Sequence, residues 1–357
     1  MNGRLAAVRE KMDEAGHAAL LVTGEHNRRY LAGFTGTTGV LLITAAQAYF
    51  LTDFRYLEQA RAESPDFELV RVERTWVESL AQLAADLGLS ELAFESDHLT
   101  YYQHASLQEK LPGVSLSPTR GLVEQMRAAK DEDEIAAIRR AVGIVDEVFA
   151  DVVREFAAGP SERELAAELE YRFRKAGADG SSFATIVASG ARSALPHGVA
   201  SEKPPAPGDL VIIDCGCVHR GYCSDFTRTL HLGPRPADWQ EEIYRIVLEA
   251  QQAAIAAIRP GVPCREVDAA AREVITRYGY GDYFGHSTGH GLGLEIHEEP
   301  RLSALEERLL AEGNVVTVEP GIYLPGKGGV RIEDVVVVRE DAAEILTRTP
   351  KNGLILV

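Results

Sequence analysis

Two aspartates, Asp214 and Asp225, flank a short turn in an otherwise apolar stretch of the chain. The apolar runs on either side read as two strands joined at residues 219–221, because glycine tolerates the backbone of a tight turn. If Val218 pairs with Gly221, Asp214 lies opposite Asp225, with Cβ atoms roughly 4.5–5.5 Å apart. Carboxylates at that distance repel each other unless a cation lies between them. The hairpin therefore predicts a metal site, for which other segments must supply further ligands.

The C-terminal two thirds of the chain contain an internal repeat. Residues 159–168 align with residues 261–270, and each copy is predicted to open a helix, the first with a capping box from Ser161 to Glu164. Another helix precedes each copy, the first over 131–156, and a carboxylate-bearing pair of strands follows each copy. This duplicated unit predicts one domain with a pseudo-twofold axis, at which the acidic residues of both halves meet.

Glu319 and Glu333 occupy in the second half the places that Asp214 and Asp225 occupy in the first. Glu319 ends a run of β-branched residues, and Glu333 lies in a return strand predicted over 330–338. Carboxylates within such apolar strands are costly unless they are paired or bind a metal. The pattern therefore predicts four carboxylates around one cation site.

The segment 284–301 holds three of the ten histidines: His286, His290 and His297. Glycine on both sides of His290 predicts a close approach of the backbone to an ion. The same segment matches the Gly-x-Ser-x-Gly pattern of serine hydrolases at Ser287, and its glycines resemble part of a dinucleotide-binding loop. A nucleophile elbow needs a strand before it and a helix after it, whereas this segment continues as extended, glycine-rich chain. An imidazole ligand is favoured, and a serine hydrolase is the weaker alternative.

Length and composition restrict the class of protein. The 357 residues are enough for two domains, and 45% hydrophobic residues are typical of a globular chain. A formal net charge of −17 argues against nucleic acid or an anionic membrane as partner. We expect a cytoplasmic location, because the sequence shows no signal-peptide or membrane-spanning pattern. Four cysteines are too few for a disulfide framework and are predicted core residues: Cys215, Cys217, Cys223 and Cys264.

The first 120 or so residues alternate helical and strand patterns, as an α/β domain does. A turn-rich cluster at 117–121 marks a boundary, which predicts domains over 1–122 and 123–357. This part of the chain shows no spacing typical of metal ligands. Polar residues near its strand ends are predicted surface or capping residues: His26, Asp53, Arg55 and His98.

These patterns together resemble the pita-bread metallopeptidases. The similar segments are Ser-Asp-Phe-Thr-Arg-Thr at 224–229, Thr-Gly-His-Gly-Leu-Gly at 288–293, Val-Glu-Pro-Gly at 318–321 and Arg-Ile-Glu-Asp at 331–334. Residues 194–200 and the smaller N-terminal domain resemble compact microbial prolidases and aminopeptidases P. The implied fold is α/β (α+β): a C-terminal pita-bread domain with an internal pseudo-twofold repeat, after a creatinase-like N-terminal α/β domain. Cys217 departs from the small aliphatic residue expected there, but by strand alternation it faces away from Asp214.

The resemblance implies five metal ligands for two divalent ions: Asp214, Asp225, His290, Glu319 and Glu333. In such a site Asp225 and Glu333 bridge the ions, Asp214 completes the shell of one, and His290 and Glu319 complete the other. Oxygen-rich ligation favours Mn²⁺, and an imidazole ligand also admits Co²⁺ or Zn²⁺.

The resemblance also implies a set of catalytic and substrate-binding residues. The expected catalytic residues are Glu319, His297, His286 and His197, and the expected substrate-binding residues are His197, His286, His297, Arg301 and Arg331. Glu319 is expected to shuttle a proton and His297 to stabilise the oxyanion. Arg301 is expected to bind the carboxylate of a C-terminal proline, and Arg331 to orient a ligand or the substrate.

The expected reaction is hydrolysis of Xaa-Pro bonds by a proline dipeptidase. An Xaa-Pro aminopeptidase acting on longer proline-containing peptides is the main alternative. A non-catalytic peptide-binding scaffold would have lost a ligand, and all five are present. We expect a homodimer in which the Gly/Thr-rich loop 33–39 reaches the partner's site.

Overall fold

The computed structural model describes residues 2–155 and 159–357. It divides into two compact units, Met1–Arg127 and Ala128–Val357. The division falls in the last turn of the helix Leu122–Ala128, shortly after the boundary predicted from the sequence. Within the described residues, no helix combines the length and the apolar character that crossing a bilayer requires.

The first unit alternates helices and strands, as predicted. Its elements are α1 (Asn2–Glu14), β1 (Ala19–Val22), α2 (Glu25–Ala32), β2 (Val40–Thr44), β3 (Ala48–Thr52), α3 (Leu57–Glu63), β4 (Glu68–Arg71), α4 (Trp76–Asp86), β5 (Glu91–Glu95), α5 (Tyr101–Lys110), β6 (Ser115–Thr119) and α6 (Leu122–Ala128). The strands form a mixed sheet in the order β4-β3-β2-β1-β5-β6. The Arg28 guanidinium holds the loop 33–39 by donating to the carbonyl oxygens of Gly36 and Gly39, 2.9 Å each.

The second unit carries the predicted repeat. Its elements are α7 (Glu132–Arg154), α8 (Glu162–Lys175), β7 (Gly180–Ser181), β8 (Ile186–Ser189), β9 (Leu210–Asp214), β10 (Cys217–His219), β11 (Tyr222–Cys223), β12 (Thr227–His231), α9 (Asp238–Ala257), α10 (Cys264–Arg277), β13 (Gly289–Gly291), β14 (Glu298–Leu302), β15 (Val315–Val318), β16 (Gly321–Leu324), β17 (Gly328–Arg331), β18 (Asp334–Val338), β19 (Ala343–Ile345) and β20 (Ile355–Leu356), with 3₁₀ helices at Gly190–Ala194 and Gly281–Tyr283. Helix α7 lies within the helix predicted over 131–156, with Asp131 and Glu155 as its caps. Phe156 lies outside the described residues.

In each half of the repeat, two helices pack against a sheet that contains an antiparallel pair of strands. In the first half α7 and α8 cover a sheet of order β20-β12-β9-β8, and in the second α9 and α10 pack against the sheet β14-β13-β15-β18-β19. The predicted capping box of α8 is present, with Glu164 N–H donating to Ser161 Oγ at 3.2 Å and Ser161 N–H donating to the Glu164 carboxylate at 2.7 Å. This local hydrogen bonding fixes where α8 begins.

The cysteines belong to the core, as the sequence predicts. All four are buried thiols. Cys215 and Cys217 pack with Phe149 and Phe226 between α7, α8 and the strands, on the side of the sheet away from Asp214. Burial raises the pKa of the Cys217 thiol to about 11.

Candidate active site

The first hairpin turns one position later than the sequence suggested. Its turn consists of Arg220 and Gly221, whose φ angles of 51° and 80° are those of a two-residue type I′ turn. Asp214 consequently pairs with Thr227 and not with Asp225, so the predicted register is wrong. The shift is two residues, and because side chains alternate along a strand, Asp225 stays on the same face as Asp214.

The structure brings together three carboxylates from the two halves, those of Asp214, Asp225 and Glu333. One oxygen of each lies within 4.8 Å of those of the other two. Asp225 and Glu333 are only 6% and 1% exposed. Burial, and then repulsion by the neighbouring carboxylates, raises the pKa of both well above the usual range. Among the described residues, Oδ1 of Asp214 and Oε1 of Glu333 have no hydrogen-bond partner. A divalent cation would give these carboxylate oxygens the partner that they lack.

Glu319 comes from the second hairpin and faces Glu333. It directly follows β15, which pairs antiparallel with β18 so that Val318 lies opposite Asp334. The same register places Glu319 across from Glu333. Burial raises the pKa of Glu319 to about 7. The Thr227 hydroxyl donates to Glu333 Oε2 at 2.7 Å, which joins the first hairpin to the second.

The return strand predicted over 330–338 is in fact two strands. Strand β17 ends at Arg331 and pairs with β16, whereas β18 begins at Asp334 and pairs with β15. Residues on both sides of the break also bond to β12: Arg331 N–H donates to Thr229 Oγ1 at 3.1 Å, and Glu333 N–H donates to the Thr227 carbonyl at 3.2 Å. This crossing between sheets carries Glu333 toward the carboxylates of the first half.

His290 lies in the middle of the short strand β13. Its Nε2 atom is 3.5 Å from Asp225 Oδ2 and 3.4 Å from Glu319 Oε1. Its Nδ1 atom is 3.1 Å from the Gly291 carbonyl oxygen, which favours a proton on Nδ1 and leaves Nε2 free to accept. Burial lowers the pKa of His290 to about 4, so the imidazole is neutral at pH 7, as a metal ligand must be. A Cβ at Gly291 would lie 2.5 Å from the Glu299 carbonyl oxygen, so this glycine admits the neighbouring strand, not an ion as the sequence suggested.

The guanidinium of Arg331 connects the carboxylates to the pocket. It donates to Asp214 Oδ2 at 2.6 Å, to the Tyr323 hydroxyl at 2.8 Å and to the Pro196 carbonyl at 3.2 Å. The Tyr323 hydroxyl in turn lies 2.9 Å from His286 Nε2. The sequence alone does not single out Tyr323 or Thr227 as site residues. The one available signal is that Tyr323 lies between Glu319 and Arg331 in the sequence.

A cavity of about 510 Å³ opens onto these groups. Its lining contains all the site residues predicted from the sequence except the more deeply buried Glu333: His197, Asp214, Asp225, His286, His290, His297, Arg301, Glu319 and Arg331. Its apolar lining includes Phe183, Ala184, Ile186, Pro196 and Ile296. Burial lowers the pKa of His286 to about 4 and also lowers that of His297. Both imidazoles are therefore neutral hydrogen-bonding groups near pH 7.

Ser287 also lines this cavity but lacks the setting of a serine nucleophile. The residues after it form the strand β13, not the helix that a nucleophile elbow requires. The serine-hydrolase alternative is therefore wrong in its structural premise.

The N-terminal unit contains a second cluster, of Glu95, His98 and Glu124, whose side-chain ligand atoms lie within 4.8 Å of one another. The backbone N–H groups of Thr23 and Gly24 both donate to Glu95 at 2.7 Å, and His98 Nε2 lies 2.8 Å from Glu124. His98 is thus a partner in a polar network, and not the surface or capping residue predicted. Because protein groups satisfy these carboxylates, we regard the cluster as structural.

Comparisons with known proteins agree with this geometry. Residues 136–340 match the model of metallopeptidase family M24, and residues 4–129 match the Creatinase/Prolidase N-terminal domain. The chain is 40% identical to an Xaa-Pro dipeptidase of Pyrococcus horikoshii over 99% of both chains. A solved Xaa-Pro dipeptidase from Bacillus anthracis is 48% identical, with a TM-score of 0.97 over 99% of both chains. An X-Pro aminopeptidase from Thermotoga maritima is 40% identical, with a TM-score of 0.91 over 98% of this chain and all of the other.

The family match covers more than half of the chain, and whole-length relatives exceed 30% identity. The expected fold, a pita-bread domain after a creatinase-like N-terminal domain, is confirmed by these matches. The chain belongs to metallopeptidase family M24.

Proposed function

We propose that this chain hydrolyses Xaa-Pro dipeptides as a metal-dependent dipeptidase. The observation that carries the proposal is the convergence of four carboxylates and one imidazole beside a cavity whose lining also holds three further histidines and Arg301. Similarity over nearly the whole chain to Xaa-Pro dipeptidases of Pyrococcus horikoshii and Bacillus anthracis supports the choice of substrate.

The proposed metal ligands are Asp214, Asp225, His290, Glu319 and Glu333. We infer that these residues would hold two divalent ions, because four ionised carboxylates carry twice the charge of one such ion. Asp225 and Glu333, the most deeply buried of the four, would be the carboxylates shared between the ions. Mn²⁺ suits the oxygen-rich set best, and the imidazole also admits Co²⁺ or Zn²⁺. When bound, such ions polarise a carbonyl group and make water nucleophilic near neutral pH.

The remaining chemistry falls to side chains of the cavity. Glu319 takes the proton of the attacking water and gives it to the leaving proline nitrogen, a transfer suited to a carboxyl group of the cavity lining whose pKa is about 7. His297 donates a hydrogen bond to the developing oxyanion. His197 and His286 orient the peptide, and Arg331 holds Asp214 in place.

Arg301 is the residue that we assign to dipeptide specificity. It lies in the cavity lining, where a guanidinium can pair with the C-terminal carboxylate of a bound dipeptide. An Xaa-Pro aminopeptidase is the second candidate, favoured by the similarity to the Thermotoga maritima enzyme.

Comparing Xaa-Pro with Xaa-Pro-Yaa substrates tests this assignment. We expect Arg301→Met to raise KM for Xaa-Pro about 10- to 100-fold with little change in kcat, because the lost ion pair binds ground state and transition state alike. Arg308→Met is the matched control, since Arg308 is paired with Glu299 at 3.0 Å and is not part of the cavity lining. Equal cleavage of both substrates, unaffected by Arg301→Met, would establish the aminopeptidase instead.

We also propose a homodimer in which loop 33–39 reaches the partner's pocket, and the cytoplasmic location stays a prediction. Sedimentation of the intact chain tests the dimer. A particle of twice the chain mass is expected, and a monomer at assay concentration contradicts the proposal.

A further inference from the structure

Two buried carboxylates, Glu162 and Asp268, lie outside the proposed metal and substrate sites. They belong to α8 and α10, the second helix of each repeated half. In the repeat alignment Glu162 corresponds to Cys264 and not to Asp268. The two carboxylates are therefore not equivalent in the repeat. Each nevertheless accepts hydrogen bonds from a segment that carries a histidine of the cavity lining.

Glu162 joins both ends of the segment 189–201. Its side chain is fully buried. The N–H and hydroxyl of Ser189 donate to Oε1 at 2.8 and 2.7 Å. The N–H and hydroxyl of Ser201 donate to Oε2 at 3.0 and 2.6 Å, and Arg192 Nε donates to the same oxygen at 3.0 Å. A single carboxylate therefore closes the segment into a loop.

The loop closed by Glu162 carries His197 into the cavity lining. Leu195 and Val199, its larger apolar side chains, are 50% and 70% exposed, so apolar burial does little to hold the loop. On the cavity side, the Pro196 carbonyl accepts from Arg331 at 3.2 Å. The position of His197 thus depends on polar contacts at the ends and the middle of the loop.

Asp268 does the same for the segment that carries His286. Its carboxylate is 1% exposed and accepts the N–H and hydroxyl of Thr288 at 3.0 and 2.9 Å. It also pairs with Arg272, whose Nε is 2.9 Å away. Arg272 donates onward to the carbonyl oxygens of Phe284 and His286 at 2.9 Å each. The backbone on both sides of the His286 ring is therefore fixed from α10.

We propose that Glu162 and Asp268 are positioning residues that hold His197 and His286 against the bound peptide. This inference rests on the proposed function of those histidines. Both oxygens of each carboxylate accept hydrogen bonds. In Glu162→Gln or Asp268→Asn one of these oxygens becomes an NH₂ group, a donor that would face the N–H and O–H donors around it. Glu162→Gln and Asp268→Asn should therefore loosen one histidine each.

Double-mutant cycles on kcat/KM for an Xaa-Pro dipeptide, at saturating Mn²⁺, test the inference. We expect Glu162→Gln to lower kcat/KM about tenfold in the wild type and less than about twofold in His197→Ala. Asp268→Asn should behave likewise toward His286→Ala. The crossed pairs, Glu162→Gln with His286→Ala and Asp268→Asn with His197→Ala, are the controls, and their effects should multiply. Effects that multiply in the same-segment pairs as well would overturn the inference.

Hydrogen exchange of the folded variants gives a readout that does not depend on activity. Glu162→Gln should speed exchange within 189–201, and Asp268→Asn within 284–288. If Glu162→Gln does not fold, Ser201→Ala removes one of its donors and takes its place in both experiments. Exchange equal to wild type in both segments overturns the inference. A wild type that does not cleave Xaa-Pro rejects the proposed function, and the exchange result still decides whether the carboxylates hold their segments.

Discussion

At the scale of single residues, the carboxylates assigned to metal binding oppose folding when no cation is present. Burial raises the pKa of Asp214, Asp225, Glu319 and Glu333, so their charged forms are less stable in the folded chain than in the unfolded one. Burial shifts the pKa of His290 in the opposite direction, down to about 4, so that its imidazole is neutral at pH 7. The site thus gains most from a divalent cation at neutral pH.

The pH dependence of stability follows from the direction of these shifts. A carboxyl group with a raised folded pKa binds its proton more tightly in the folded state, so its stabilising contribution is lost as pH rises, for Glu319 between about 4.5 and about 7. Burial lowers the pKa of His286 and His290 from 6.5 to about 4, which has the opposite effect on stability below pH 6.5. We therefore expect the Tm of the metal-free protein to fall between pH 6.5 and 8, and the increase in Tm on adding Mn²⁺ to grow over the same range. In Glu319→Gln the metal-free decrease should be smaller. Thermal unfolding measures both, and an Mn²⁺ effect that shrinks with rising pH would contradict the assignment.

The side chains proposed as metal ligands could be selected from the sequence because each stands out chemically, as an acid inside an apolar strand or a histidine between glycines. Tyr323 and Thr227 could not be, because a tyrosine and a threonine are ordinary strand residues. Their importance comes from contacts across the fold, Tyr323 with Arg331 and Thr227 with Glu333. No local pattern records such contacts.

At the scale of elements, the predictions that hold are those set by local interactions. The start of α8 follows from its own capping box. Local interactions also end α8 and α10, because Gly177 and Gly279, which follow them, have φ angles of 94° and 84°, as a C-terminal glycine cap requires. The hairpin register was missed because it depends on whether Arg220 adopts a positive φ, which the residue type disfavours. The break at Ile332 was missed because bonds to β12 create it.

The turn of the first hairpin offers a test at this scale. Arg220 has a φ of 51°, a conformation that asparagine adopts more easily than arginine. We expect Arg220→Asn to raise the free energy of unfolding by about 0.5–1 kcal/mol, and Arg220→Val to lower it by about the same amount or more. Denaturant unfolding at fixed Mn²⁺ measures the difference. A stabilising Arg220→Val would show that the turn is not type I′.

At the scale of the whole molecule, the two-domain organisation could be predicted from the alternation of patterns and from the repeat. The structure divides the chain between Arg127 and Ala128. The family matches, over 4–129 and 136–340, divide it in the same region. Substrate preference is a property of the complete pocket and is less accessible to sequence reasoning, because relatives with the same fold include both dipeptidases and an aminopeptidase.

Metal removal and restoration test the central proposal most directly. Hydrolysis of an Xaa-Pro dipeptide should be lost after complete chelation and return as Mn²⁺ is added back, reaching its plateau at two ions per chain. His290→Ala should need far more Mn²⁺, whereas His219→Ala, on the hairpin outside the cavity lining, should behave as wild type. Unchanged turnover after chelation, with the metal content verified as zero, would contradict the metallopeptidase mechanism.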